Sequence, residues 1–247
     1  MRFRMITYNI HKAIGVDRQF RPQRIIEILR HYEADIVLLQ EVDRGVPRSD
    51  HLDLAAELAG ALRYDFKSVG MNVTLKKGHY GNATLTRFPI GRQRNINLTM
   101  PGHKARGAQH TIIHLPTPRR ATPIHVFNVH LGLRARERRK QVRLLLSTTD
   151  VDHLPEDRGC IIAGDMNDWR GVLKRRHFSP AGFACATNRR PGSPWSIKTF
   201  PSYAPAGGLD KIFFRGGLLL THVHRARMAL ARVASDHLPV IADFEVP

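Results

Sequence analysis

The period of apolar positions changes repeatedly along the chain, and each change marks an element. Phe3 to Asn9 alternates apolar and polar, which predicts a strand ending on an amide. Pro22 then opens a helical segment, with Ile25, Ile26, Leu29 and Tyr32 falling on one stripe. Asp35 to Glu41 is a near-continuous apolar run closed by a carboxylate, the pattern of a buried strand. Leu52 to Tyr64, rich in Ala, Leu and Glu, predicts a second helix. Gly78 to Ile90 contains a strand entered from a glycine turn and ended by Pro89. Arg106 to Leu115 and Ile124 to His130 predict consecutive strands, with Pro116, Pro118 and Pro123 punctuating the turn between them.

A basic helix from Arg134 to Leu146 follows, and then the apolar run Cys160-Ile161-Ile162-Ala163-Gly164-Asp165. Residues 169 to 208 lack periodicity and are rich in Pro, Gly and Ser. A connection of that length is often functional. Leu209 to Phe214 and Ser235 to Phe244 supply the last strands. Strands dominate, helices are interspersed, and no repeat or composition break divides the chain. One mixed α/β domain over residues 1 to 247, built from two packed sheets, fits this count.

Composition adds a strong electrostatic bias. The 247 residues are 42% hydrophobic, so a folded core is expected, but the formal net charge is +18. Such a surface attracts polyanions: nucleic acid, anionic lipid headgroups or phosphorylated small molecules. The two cysteines, Cys160 and Cys185, do not suggest a disulfide framework. The N-terminus lacks the apolar region of a signal peptide, and no stretch approaches the roughly 20 apolar residues of a membrane span. The expectation is a cytoplasmic monomer with no protein partner.

Six strand-like runs carry polar residues at one end: Asn9, Glu41, His130, Asp165 with Asn167, Asp210, and Asp236 with His237. Each alone has a local explanation, such as capping a turn or pairing with a surface Arg. Together they predict a shared cleft, because strand ends in one sheet gather along an edge. In extended chain Asp165 and Asn167 point to one side, where they can hold a water, a hard cation or a phosphoryl oxygen. The oxygen donors Glu41, Asn9 and Asp236 suit Mg2+ or Mn2+, and zinc spacing is absent.

The blocks Thr7-Tyr8-Asn9, Leu39-Gln40-Glu41, Asn128-Val129-His130-Leu131, Gly164-Asp165-Met166-Asn167, Leu209-Asp210 and Ser235-Asp236-His237-Leu238-Pro239 resemble the endonuclease/exonuclease/phosphatase superfamily, in its order. The resemblance implies a four-layer α/β/β/α sandwich of the DNase I-like kind and metal-assisted phosphoester hydrolysis. It implies Glu41 as principal metal ligand, with Asn9 and Asp236 nearby. Asp165 would orient or deprotonate water, and Asn167 would hold a phosphoryl oxygen. His237, paired with Asp210, would act on the phosphate. His130 would stabilise the phosphoryl group or assist the leaving group. Asn82, in the glycine-led block, becomes a possible phosphate contact. His130 matches the branch of DNases, sphingomyelinases and inositol-polyphosphate 5-phosphatases, where apurinic endonucleases commonly carry tyrosine.

The basic helix supplies Arg134 and Arg138 as candidate substrate contacts, and the long loop supplies Lys174, Arg175 and Trp195. Cations interleaved with aromatics suit a nucleic-acid strand. The same mixture suits an anionic phospholipid surface. The favoured expectation is therefore a Mg2+-dependent nuclease. The alternatives are a phospholipid or phosphoinositide phosphodiesterase or phosphatase, and a polyanion-binding scaffold without catalysis.

Overall fold

The structure is a computed structural model that describes residues 1–117, 121–188 and 196–246. Pro118 and Trp195, both singled out in the sequence, lie outside these described residues, as do Arg189 and Arg190 of the long connection.

The strands are β1 Arg2–Asn9, β2 Ile36–Arg44, β3 Phe66–Thr74, β4 His79–Thr86, β5 Ile90–Asn97, β6 Gly107–Leu115, β7 Thr122–His130, β8 Cys160–Asp165, β9 Ala184–Cys185, β10 Asp210–Arg215, β11 Leu219–Arg225 and β12 Val240–Glu245. They form two mixed six-stranded sheets, in the orders β11-β12-β1-β2-β4-β3 and β5-β6-β7-β8-β10-β9. The main helices are α1 Pro22–Tyr32, α2 Leu54–Leu62 and α3 Ala135–Leu146.

Packing follows from side-chain period. In α1 the buried positions are Ile25, Ile28, Leu29 and Tyr32, an i, i+3, i+4, i+7 stripe. Ile28 thus takes the central place expected for Ile26, which sits at the margin of the stripe. α2 begins at Asp53, whose carboxylate accepts the Ala56 N–H at 3.1 Å. Both helices close the outer face of the first sheet over Ile6, Val37, Leu39, Leu85 and Ile241. The second sheet's outer face is closed by α3 and the segment around Phe178, over Phe127, Val129, Ile162 and Phe213. Between the sheets lie Met5, Leu38, Val126, Ile161, Ile212 and Phe244. The result is the α/β/β/α sandwich.

Toward one end the inter-sheet layer turns polar. Gln40 donates to Asn128 Oδ1 at 2.8 Å, and Asn128 donates to the Leu39 and Ala83 carbonyls. Asn82 donates to the Asn128 carbonyl at 3.1 Å and is buried. Every such bond crosses between strands of different sheets, so the layer locks their relative position.

Four strands absent from the hydrophobic pattern, β3, β5, β9 and β11, all lie at sheet edges. Within the long connection, residues 169–188 carry a π-helical turn at Lys174–Phe178 and the short β9. Both cysteines are free thiols. No helix among the described residues is long and apolar enough to cross a membrane.

Candidate active site

Register alone assembles half the site. His130 lies opposite Asp165 in the parallel β7–β8 pair, and Asp165 opposite Asp210 in the antiparallel β8–β10 pair. The three side chains therefore start in one row across the second sheet. Backbone packing at Gly164 fixes that row. Gly164 has φ +141°, and a Cβ there would lie 1.9 Å from the Val129 carbonyl oxygen. Only glycine lets β7 and β8 approach so closely just before Asp165.

The first sheet supplies the rest. β1 ends at Asn9, whose amide donates to Asp165 Oδ2 at 3.1 Å across the inter-sheet gap. Ser235 donates to the Asn9 carbonyl at 2.7 Å and accepts the His237 N–H at 3.2 Å. This hydroxyl anchors the Asp236-His237 turn to the end of β1. Glu41 sits in β2 at a bulge, with φ +60°. Such a conformation is costly for a non-glycine residue and clusters at functional positions.

Asp165 is the hub. Its Oδ1 accepts the Asn167 N–H at 2.9 Å. Its Oδ2 lies 3.6 Å from His130 Nε2 and 3.7 Å from His237 Nε2. His237 in turn turns its Nδ1 to Asp210 Oδ2 at 2.8 Å. Thr199 donates to the same Asp210 oxygen, and the Phe200 ring packs 5.0 Å from the His237 ring. The long loop is thus a wall of the site, tied down by Leu238 N–H on Thr199 O and Ser202 N–H on Asp236 O.

The two histidines are driven to different protonation states. Burial pushes His130 down to about 4, and Arg106 adds to this against the opposing carboxylates Asp165 and Glu41. Burial would also lower His237, but Asp210, Asp165 and Asp236 outweigh it and raise it to about 10. At neutral pH His130 is an imidazole and His237 an imidazolium. Glu41 is held down at about 2, where His130 and Lys12 overcome the burial that opposes ionisation. Lys12 forms an ion pair with Glu41. His11, Lys12 and Ala13 all have positive φ, and this left-handed turn carries the ammonium to the carboxylate.

Some sequence expectations need correction. Asn167 does not extend β8. Its φ is +50°, its side chain donates to the Leu131 carbonyl at 3.0 Å, and it closes a turn on Asp165. Two residues apart therefore does not mean one strand face here, because the strand stops at Asp165. Arg138 is buried, with its guanidinium on the carbonyls of Gly132 and Leu133, whereas Arg134 is exposed just before α3. Lys174 and Arg175 line a groove of about 1410 Å³ beside the site, together with Trp169, Arg225, Arg227 and Leu238. No carboxylate is among the groove's described lining residues. Thr199, Ser235, Lys12 and Arg106 were not singled out in the sequence. Lys12 and Ser235 did stand beside singled-out residues. Thr199 and Arg106 had no local signal.

Among the described residues, no three His, Cys, Asp or Glu side chains converge closely enough to hold a metal unaided. The donors expected from the sequence, Glu41, Asn9 and Asp236, are two carboxylates and an amide whose oxygen here accepts the His11 N–H at 3.1 Å. That chemistry fits Mg2+ or Mn2+, which retain waters and need few protein ligands. The pairing of Lys12 with Glu41 shows the carboxylate already drawing a cation.

Paired mixed sheets, with this polar row at their common edge, define a DNase I-like phosphoesterase scaffold. Residues 6–237 match the profile of the Endonuclease/Exonuclease/phosphatase family. The chain belongs to that family. YbhP of Escherichia coli K12, itself uncharacterized, is 32% identical over 255 residues, covering 99% of this chain and 96% of its own. An endonuclease/exonuclease/phosphatase from Beutenbergia cavernae superposes with a TM-score of 0.81 at 23% identity, over 99% of this chain and 72% of that one. D. rerio TDP2, solved with a single-strand DNA product, superposes with a TM-score of 0.77 at 18% identity, over 99% of both chains.

Proposed function

We propose that this protein is a divalent-metal-dependent phosphodiesterase that cleaves nucleic-acid strands by in-line attack of water. The observation that carries the reading is Asp165 Oδ2 seated 3.6 Å from His130 Nε2 and 3.7 Å from His237 Nε2, one ring neutral and the other protonated. Pairs of titratable groups driven apart by their surroundings mark acid and base roles.

Asp165, with Oδ1 fixed by the Asn167 N–H and Oδ2 by Asn9, orients the attacking water and takes its proton. The His237 imidazolium, braced by Asp210, donates Nε2–H to a phosphoryl oxygen as charge builds there. His130, uncharged, stands on the other side of Asp165 with its Nε2 3.6 Å from Oδ2, and offers a neutral donor to the phosphoryl group. A divalent cation held by Glu41, Asn9 and Asp236 would, when bound, neutralise the phosphoryl and leaving oxygens. Diester hydrolysis is slow because an anion must accept a nucleophile, and fixed positive charge in a buried site lowers that barrier.

The nucleic-acid preference rests on the carboxylate-free groove, where Lys174, Arg175, Arg225 and Arg227 flank the half-exposed Trp169. Cations tracking a backbone beside an aromatic platform suit a single strand. The single-strand DNA product in D. rerio TDP2 is consistent with such a substrate.

The test is incubation with plasmid, single-stranded oligonucleotide and anionic liposomes, in Mg2+ or EDTA. Metal-dependent strand cleavage that disappears in Glu41→Ala and His237→Ala is expected. Headgroup release with intact nucleic acid would replace the reading with a phospholipid one. Binding without turnover, unaffected by either substitution, would leave only a polyanion-binding scaffold.

A further inference from the structure

Beyond the catalytic row, four cations crowd one aromatic ring. Tyr80 is buried. The Lys12, Arg48 and Lys104 side chains lie over its ring at 5.9, 5.6 and 4.7 Å from the centroid. Arg106 lies close enough to act electrostatically on both Tyr80 and His130, so the cluster adjoins the site on its Glu41 side.

The charges in this cluster do not balance. Arg48 is neutralised by Asp43 through two bonds of 2.7 Å, and Lys12 by Glu41. Lys104 and Arg106 have no carboxylate partner among the described residues. Tyr80 does not compensate, because a phenol carries no charge at neutral pH. Arg106 is only 7% exposed, and its buried Nε has no hydrogen-bond partner among the described residues. A guanidinium buried without a counter-ion is expensive unless a ligand supplies the charge. Lys104 is exposed as a residue, but partial burial and the cations Arg106, Lys12 and Arg48 hold its ammonium below the usual lysine range, against Glu41.

We propose that Lys12, Lys104 and Arg106, grouped around Tyr80, form a seat for a second, non-scissile phosphoryl group of the substrate. Two uncompensated positive charges match a phosphoryl anion, and Arg106 offers a planar fork of donors for its oxygens. The ring of Tyr80 holds the cations in place without cancelling them. A substrate with one phosphorus would reach only the catalytic row, whereas one with a neighbouring phosphoryl group would bridge row and seat. The inference rests on the phosphoesterase reading of the site.

The experiment has two readouts on the full chain. Inorganic pyrophosphate is titrated calorimetrically into the wild type, Lys104→Ala, Arg106→Gln and the surface control Arg2→Ala. Each of the first two variants is expected to weaken binding about tenfold, the loss of one charge-assisted contact, and the control to match the wild type. Unaltered binding in both variants overturns the seat, and this arm decides the matter even if no phosphodiester is turned over.

The second readout is the preference for two phosphoryl groups over one, as the ratio of kcat/KM for pTpT to that for TpT. A matched pair, inositol 1,4-bisphosphate against inositol 1-phosphate, tests a headgroup source. The pair that shows the preference names the source. Either variant should flatten the ratio about tenfold, and Lys104→Ala, at an exposed side chain, tests this without risk to folding. A ratio unchanged while both rates fall equally overturns the proposal, because the cations would then serve the scissile group.

Discussion

His237 and Asp210 meet with 2.8 Å between Nδ1 and Oδ2, and Asp210 is fully buried. The carboxylate does more than orient the ring, since it opposes the burial that would otherwise discharge the imidazolium. Asp210→Asn keeps the shape and the hydrogen bond but removes the charge. The His237 titration, followed by NMR, should fall well below its value near 10. The kcat of phosphodiester hydrolysis should fall about a hundredfold or more, the size of losing one preorganised charge. A kcat within twofold of wild type would refute this role.

The opposite pKa shifts of the two histidines also predict the shape of the pH profile. His237 is raised to about 10, so its imidazolium persists at lower pH and is lost as pH rises through that value. His130 is depressed to about 4, so its neutral form is lost only as pH falls through that value. The profile of kcat/KM should therefore be flat from about pH 5 to pH 9, with limbs outside that range. In His130→Gln the acid limb should move or vanish while the alkaline limb stays. A wild-type limb centred near pH 6.5 would mean that neither histidine is perturbed.

The contact between Gly164 and the Val129 carbonyl predicts that Gly164→Ala is among the most damaging single-methyl changes in the chain. The added Cβ would lie 1.9 Å from that oxygen, at a φ of +141°. β7 and β8 would have to part, which misaligns His130 and Asp165. A loss of about 3 kcal/mol or more is expected from combined clash and backbone strain. Urea denaturation measures it, and a change below about 1 kcal/mol would contradict the geometry.

The sequence reveals central strands because they are buried on both faces. β2 and β8 carry apolar runs with hardly an exposed residue, and Glu41, which closes the run within β2, and Asp165, which ends β8, stand out for that reason. β5 and β11 are edge strands whose sequences, Ile-Gly-Arg-Gln-Arg-Asn-Ile-Asn and Leu-Leu-Thr-His-Val-His-Arg, are mostly exposed or half-buried. An edge strand with solvent on one flank needs no apolar alternation, and charges there discourage pairing with another chain. The site followed the same logic. Residues at the ends of buried strands were legible, as His130 and Asp210 were. Arg106 and Thr199 enter from loops, and only the fold puts them beside His130 and Asp210. Asn167 was misplaced because its left-handed φ has no signature in a list of residue types.

Stability should carry its own pH signature, set far from the catalytic row. His110 is buried, stacks on Phe127 with ring centroids 4.2 Å apart, and meets His125 at 3.2 Å between ring nitrogens. Burial pushes His110 down to about 4, and the His125 and Arg94 charges add to this against Asp150. The folded value lies below the unfolded one of about 6.5. Above pH 6.5 both states are neutral at this site, so the full stability is present. As pH falls from 6.5 toward 4 the unfolded chain takes up a proton that the folded chain refuses, and stability is lost across that window. The loss from this residue should be a few kcal/mol at most. Urea midpoints at pH 7.5, 6.0 and 4.5 measure it. In His110→Leu the dependence between pH 6.5 and 4.5 should shrink, because the proton-accepting group is gone from the unfolded state too. An identical slope in that variant would assign the pH sensitivity to other residues, such as His125, which burial also lowers.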